Sequence, residues 1–176
     1  MSESLIAPKC KRYYKEGNNF SICVNIGEKG YVLAEHPNER YTIFYYGLYG
    51  SGLFGRIFEK NSPIVLDASE NKVVDVQDYV HDKIIFEALE NFYIIGFNTL
   101  DKNIKWKAQI LNCDAVSFQS QYEKTYLICF NGKPIVDGKK FKRYDYACLD
   151  IDKQYKLELS SNDVLVAFSQ IGVNYD

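Results

Sequence analysis

An acid, an imidazole and a guanidinium fall close together in Glu35-His36-Pro37-Asn38-Glu39-Arg40, a grouping that could run general acid/base chemistry if a substrate reached it. The same residues in a polar loop before a strand ordinarily serve solvation. His81, in Tyr79-Val80-His81-Asp82, reads as a surface or turn residue. Gly50-Ser51-Gly52-Leu53-Phe54-Gly55 satisfies the G-x-G-x-x-G pattern that lets a backbone approach phosphate. A dinucleotide site needs a helix to begin at the third glycine and aim its amides at the pyrophosphate, yet Arg56-Ile57-Phe58-Glu59 continues as strand. A kinase-like glycine hairpin would tolerate strand on both sides, but no HRD or DFG motif follows. These glycines therefore read as a hairpin between twisted strands. Lys133, Lys139, Lys140, Lys142 and Arg143 form a basic stretch beside Tyr144. Asp137, Asp145, Asp150 and Asp152 dilute its field, so it reads as a solvated strand edge whose lysines discourage edge pairing, and nucleic acid is not an expected partner.

Five cysteines are scattered without a C-x-x-C pair, which excludes a zinc ribbon and a redox motif by spacing. Cys23, Cys113, Cys129 and Cys148 sit among apolar neighbours, where a reduced thiol acts as a small hydrophobe. Cys10, beside Lys11 and Arg12, could carry a lowered thiol pKa. The odd set favours a reducing cytoplasm. A formal net charge of −2 supplies no field that would demand nucleic acid or anionic lipid. No run approaches the ~18 apolar residues of a membrane helix and the start lacks a cleavage signal, so a soluble cytoplasmic chain with no membrane partner is expected.

Strand signals dominate the elements that must position these groups. Phe20 to Ile26, Arg40 to Gly47, Leu53 to Glu59 and Phe92 to Phe97 carry the first half; Trp106 to Leu111, Thr125 to Phe130 and Tyr155 to Leu159 carry the second. Continuous apolar runs predict strands buried on both faces, and alternating ones predict strands with one wet face; the mixture fits two packed sheets. Asp82 to Asn91 has apolar residues at helical spacing but reads equally as strand, the assignment preferred here. Asn131-Gly132 and Asp137-Gly138 are the strongest hairpin signals. The residues up to Gly17 read as an arm packing on the body or on a neighbouring subunit. Fifteen tyrosines stand out; alternation along the second run sends Tyr41, Tyr45 and Tyr49 to one face and Phe44 and Tyr46 to the other, one for the core and one for an interface or a stacked ligand.

From Tyr126 the pattern runs apolar strand, Asn-Gly turn, short strand, Asp-Gly turn, polar strand, Asp, and a final alternating strand. With Gly132, Asp137-Gly138 and Tyr144-Asp145 as landmarks, this segment resembles the cupin superfamily, although Tyr144 stands where the family has the glycine of a Gly-Asp step. The resemblance implies an all-β, cupin-like double-stranded β-helix or jelly-roll barrel in a single domain over 1–176. Residues 104–172 would be the cupin-like half, and 18–100 extra N-terminal strands or a degenerate half. It also implies where a metal would sit. Counting from the landmarks places Phe118, Ser120, Thr125 and Tyr155 at the metal-ligand positions, and none is an imidazole, thiolate or carboxylate.

The expected protein is thus a metal-free, cofactor-free, non-catalytic binding or interaction module. Ser120, Thr125 and Tyr155 would hydrogen-bond a small polar ligand such as a sugar at the barrel mouth, Phe118 would close its apolar side, and self-association as a homodimer is expected. The alternative is a metal-independent sugar or sugar-nucleotide isomerase or epimerase with His36 as base and Tyr45 as acid. A second alternative is a viral structural subunit with a filled barrel.

Overall fold

The computed structural model describes residues 8–35, 41–56, 63–79 and 84–173, and these contain no α-helix. The chain divides into two compact units, Met1–Lys102 and Asn103–Asp176.

The first unit contains β1 (Cys10–Glu16), β2 (Phe20–Gly27), β3 (Val32–Glu35), β4 (Tyr41–Tyr49), β5 (Ser51–Arg56), β6 (Ile64–Asp67), β7 (Val73–Asp75), β8 (Ile84–Ala88) and β9 (Phe92–Thr99). They form two antiparallel sheets in the orders β1-β2-β9-β4-β7 and β3-β8-β5-β6. The second contains β10 (Ile104–Leu111), β11 (Ser117–Gln119), β12 (Thr125–Asn131), β13 (Ile135–Val136), β14 (Lys139–Lys140), β15 (Tyr146–Leu149), β16 (Gln154–Glu158) and β17 (Val164–Val173). Their orders are β10-β17-β12-β15 and β11-β16-β13-β14. Adding eight to every label of β2–β9 reproduces the second unit. Each is therefore the same eight-stranded, double-sheet jelly roll, with β1 appended at one edge of the first.

Each unit has its own core. In the first, Tyr45, Phe54, Phe86 and Phe92 pack with Leu33, Leu66 and Ile94, and centroid separations of 4.4 Å for Tyr45–Phe54, 4.9 Å for Phe54–Phe86 and 5.2 Å for Phe86–Phe92 form an aromatic file. In the second, Leu111, Leu127, Cys129, Phe141, Leu157 and Leu165 form the equivalent cluster. Each large apolar side chain so buried contributes about 1.5–3 kcal/mol relative to exposure.

The strand pairings bear out some local expectations and correct others. From Cys10 onward the N-terminal segment packs on the body, one of the two placements expected for it, as a strand: β1 pairs with β2 along its whole length. Asp82 to Asn91 contains the strand β8, whose Val32↔Glu87 and Gly52↔Ala88 pairings place it between β3 and β5. Asn131-Gly132 does not close a hairpin: β12 pairs with β15 and β17 while β13 joins the other sheet, so this turn carries the chain between sheets. Gly132 is required there, with φ of 84°, because a Cβ would overlap the Asp163 carboxylate that accepts the Lys133 amide at 2.7 Å. Asp137-Gly138 does close the β13–β14 hairpin. The glycine-rich motif runs into β5 without a helix, but it closes no hairpin between β4 and β5: β4 pairs with β7 and β9 while β5 pairs with β6 and β8, so Gly50, with φ of 83°, turns the chain from one sheet to the other close to the Asn91 carbonyl.

The tyrosines of β4 are also redistributed. Register shifts between Thr42 and Phe44 and between Gly47 and Tyr49 interrupt the alternation, as β-bulges do. Opposite β9, Tyr45 shares a face with Thr42 and Gly47, whereas Tyr41 and Tyr49 join Phe44 and Tyr46. Cys113 and Cys148 are exposed rather than buried among apolar neighbours.

Candidate functional site

Strand alternation and register sort the inward face of the second unit into rungs. Leu111, Leu165 and Cys129 form one, Gln109, Ala167 and Leu127 the next, and Lys107, Ser169 and Thr125 the third. The interior therefore grades from apolar to hydrogen-bonding along the strands. At the polar end, the edge strands β10 and β11 of the two sheets border a half-open groove of about 320 Å³. Lys107 and Gln109 line it from β10, Ala167 and Ser169 from β17, and the stretch from Ser117 to Tyr122 completes it. That volume lies at the small end of the ~300–1,000 Å³ typical of small-molecule sites.

Three buried hydroxyls underlie the groove. Ser120 Oγ lies 2.5 Å from Thr125 Oγ1, which lies 2.8 Å from Ser169 Oγ. The Tyr122 amide donates to Ser120 Oγ at 3.2 Å, and that hydroxyl can donate to the Tyr122 carbonyl at 3.1 Å. Thr125 is fully buried and Ser120 nearly so, while Ser169 and Ser120 reach the groove.

Of the four residues expected at the mouth, the structure brings Ser120 and Thr125 together through their hydroxyls and places Phe118 in the groove wall. Thr125 lies one layer beneath the lining. Phe118 faces Tyr155 across the β11–β16 pair, but Tyr155 packs in the core. Its hydroxyl accepts from the Asp150 amide at 2.8 Å and donates to the Asp150 carboxylate at 3.2 Å. Hydroxyls bonded to one another, a phenyl ring and a phenol tied to Asp150 do not fit a transition-metal ion, and among the described residues no group of three or more His, Cys, Asp or Glu could hold one. For the alternative pair, Tyr45 lies in the aromatic core of the first unit at 1% exposure, and His36 falls outside the described residues, as does His81.

Sequence reasoning missed Lys107, Gln109 and Ser169. The available signal was the weak alternation of Trp106 to Leu111, whose polar members are Lys107 and Gln109, and the break from Val-Ala-Phe to Ser169 at the end of an apolar run.

Thiol and phenol chemistry lies away from the groove. Burial pushes the Cys129 thiol up to about 12, helped by Asp163 and Asp145, so it is neutral and unreactive at neutral pH. Burial likewise pushes Tyr126 up to about 12, with smaller contributions from Cys148 and Tyr146. Cys10 is raised as well: desolvation outweighs the pull of Arg12, which corrects the expectation of a lowered thiol. Among the described residues no helix is long and apolar enough to cross a membrane.

No protein-family model matches the chain, and no curated protein sequence matches it. Solved structures do resemble it. Escherichia coli YhaK superposes with a TM-score of 0.64 at 9% identity, covering 92% of this chain and 94% of that one. PA5104 from Pseudomonas aeruginosa PAO1, a conserved protein of unknown function, gives 0.62 at 9% identity over 94% and 90%. HutD from Pseudomonas fluorescens SBW25 gives 0.59 at 10% identity over 94% and 100%. Likeness along nearly the full length of both chains at such low identity is a likeness of fold, and with the repeated strand order it makes this chain an all-β protein of jelly-roll architecture.

Proposed function

We propose that the protein is a cupin-like binding module that holds a small polar ligand, of about the size of a sugar, in the groove at the open end of its C-terminal barrel, without transforming it. The observation that carries this reading is the polar end beneath the groove, where the hydroxyls of Ser169 and Thr125, joined by that of Ser120, stand in place of the apolar side chains of the Leu111, Leu165 and Cys129 rung. Buried hydroxyls are costly unless bonded, and a groove that ends on them offers hydrogen-bond partners to a ligand rather than a purely apolar wall. Of the lining residues, Lys107 and Tyr122 are the titratable ones, a set that suits recognition better than paired acid/base catalysis.

The test is a thermal-shift titration of the full chain with hexoses, hexitols and their acids, beside denaturing mass spectrometry for co-purified small molecules. A ligand at about a hundred times its Kd stabilises the folded state by about 2.7 kcal/mol and raises Tm by several degrees. Gln109→Trp, at an exposed groove position, should fill the groove and abolish the shift. A flat response across the panel with nothing co-purified, or an equal shift in Gln109→Trp, would overturn the reading.

A further inference from the structure

We infer that the ligand of this groove is a hydroxy-carboxylate of sugar-acid type, its carboxylate held between Lys107 Nζ and Ser169 Oγ; this rests on the reading of the groove as a ligand site. Lys107 and Ser169 are direct Cα partners on adjacent antiparallel strands, so their side chains rise from the same face with Cβ atoms ~5 Å apart. A carboxylate spans such a pair.

Charge gives the sign. Lys107 is the one basic side chain of the lining, and no carboxylate lines the groove to neutralise it. A single ammonium matches a monoanion. A phosphate dianion would leave one charge unmet, since no arginine and no second lysine lines the groove.

The hydroxyl file gives the donor. Three hydroxyls hold three protons, and the file has two complete orientations. In one, Ser120 donates to the Tyr122 carbonyl, Thr125 to Ser120 and Ser169 to Thr125, which leaves lone pairs of Ser169 at the groove. In the other, Ser120 donates to Thr125 and Thr125 to Ser169, while Ser120 still accepts the Tyr122 amide. The Ser169 proton is then free to point outward. An anion beside Lys107 selects the second orientation, because it supplies the acceptor that this proton lacks and leaves every buried hydroxyl bonded. The rest of the lining suits the rest of such a molecule: the Gln109 and Gln121 carboxamides can serve hydroxyls, and the Phe118 ring a C–H face.

Matched pairs test this: D-gluconate with sorbitol, D-glucuronate with glucose and D-galacturonate with galactose, with galactose 1-phosphate added, each titrated against the full chain by calorimetry. At least one acid should bind about tenfold or more tighter than its neutral partner, the range of a charge-assisted hydrogen bond, and the advantage should shrink as salt is raised. Lys107→Met, at an exposed position, should erase the advantage of the acid over its neutral partner, the two being compared within that variant; Lys107→Arg should restore it. Equal binding of acid and neutral partner, or a preference that survives Lys107→Met, overturns the carboxylate while leaving the groove as a site. Tighter binding of the phosphate ester overturns it in favour of a phosphate ligand. Binding of no member removes the groove reading itself, and this inference with it.

Discussion

At Tyr144 the backbone φ is 69°, in the left-handed region that costs a side-chain-bearing residue about 1–2 kcal/mol. The turn is held on both sides: the Tyr144 amide donates to the Cys129 carbonyl at 2.6 Å, and the Asp145 carboxylate accepts from the Lys142 amide at 2.8 Å. These bonds explain how a tyrosine stands in a backbone conformation that favours glycine. Tyr144→Gly should therefore be more stable than Tyr144→Ala by about 1 kcal/mol, read as urea midpoints; equal midpoints would show that the turn is not strained. Tyr155 offers a second check. Tyr155→Phe should cost about 1 kcal/mol through the lost Asp150 bonds, yet leave groove binding unchanged, because its hydroxyl faces Asp150. Counting from the landmarks of the cupin resemblance grouped Ser120 with Phe118, and both line the same groove. Counting could not tell that Tyr155 turns to Asp150, since that contact depends on a loop conformation rather than on strand spacing.

Elements were legible where one period ran unbroken. The continuous Thr125 to Phe130 run is buried along its length, and Gln154 to Glu158 alternates as read. Legibility failed at β4, because a bulge leaves no mark in composition while reversing the face of every later residue; Tyr41 and Tyr49 were assigned to the wrong face for that reason. It failed again at β1, where six consecutive exposed residues give no burial period at all. β1 is a sheet edge, and Lys11 and Lys15 lie on one of its faces with Tyr13, which is 54% exposed. Lysine on an edge resists pairing with other chains. Lys11→Val combined with Lys15→Val should therefore produce higher-order aggregates, seen as a rise in light scattering at a concentration where the parent shows none. An unchanged scattering profile would mean that the edge is guarded by something other than its charges.

At the scale of the whole molecule, the same strand order appears twice with little trace in sequence, since a jelly roll asks only for inward apolar positions and turns, which many residue sets supply. Its stability should share one pH signature from two buried acids. The Cys129 thiol is raised from an ordinary 9.0 and the Tyr126 phenol from 10.0, each to about 12, and chiefly by desolvation. In the unfolded chain both lose their protons near the ordinary values, while the folded chain keeps them. The folded state thus binds more protons through this window, so stability must fall as pH rises. The contribution is complete below pH of about 9, declines first through Cys129 and then through Tyr126, and is gone above about 12. Urea midpoints measured from pH 7 to 11 should therefore hold steady and then fall. Cys129→Ala should lower the midpoint throughout by loss of packing, yet flatten the first part of the decline, where the thiol alone is titrating. A decline of the same slope in Cys129→Ala would show that other groups carry it, and a midpoint unchanged to pH 11 would mean that neither acid is as buried in solution as its surroundings require.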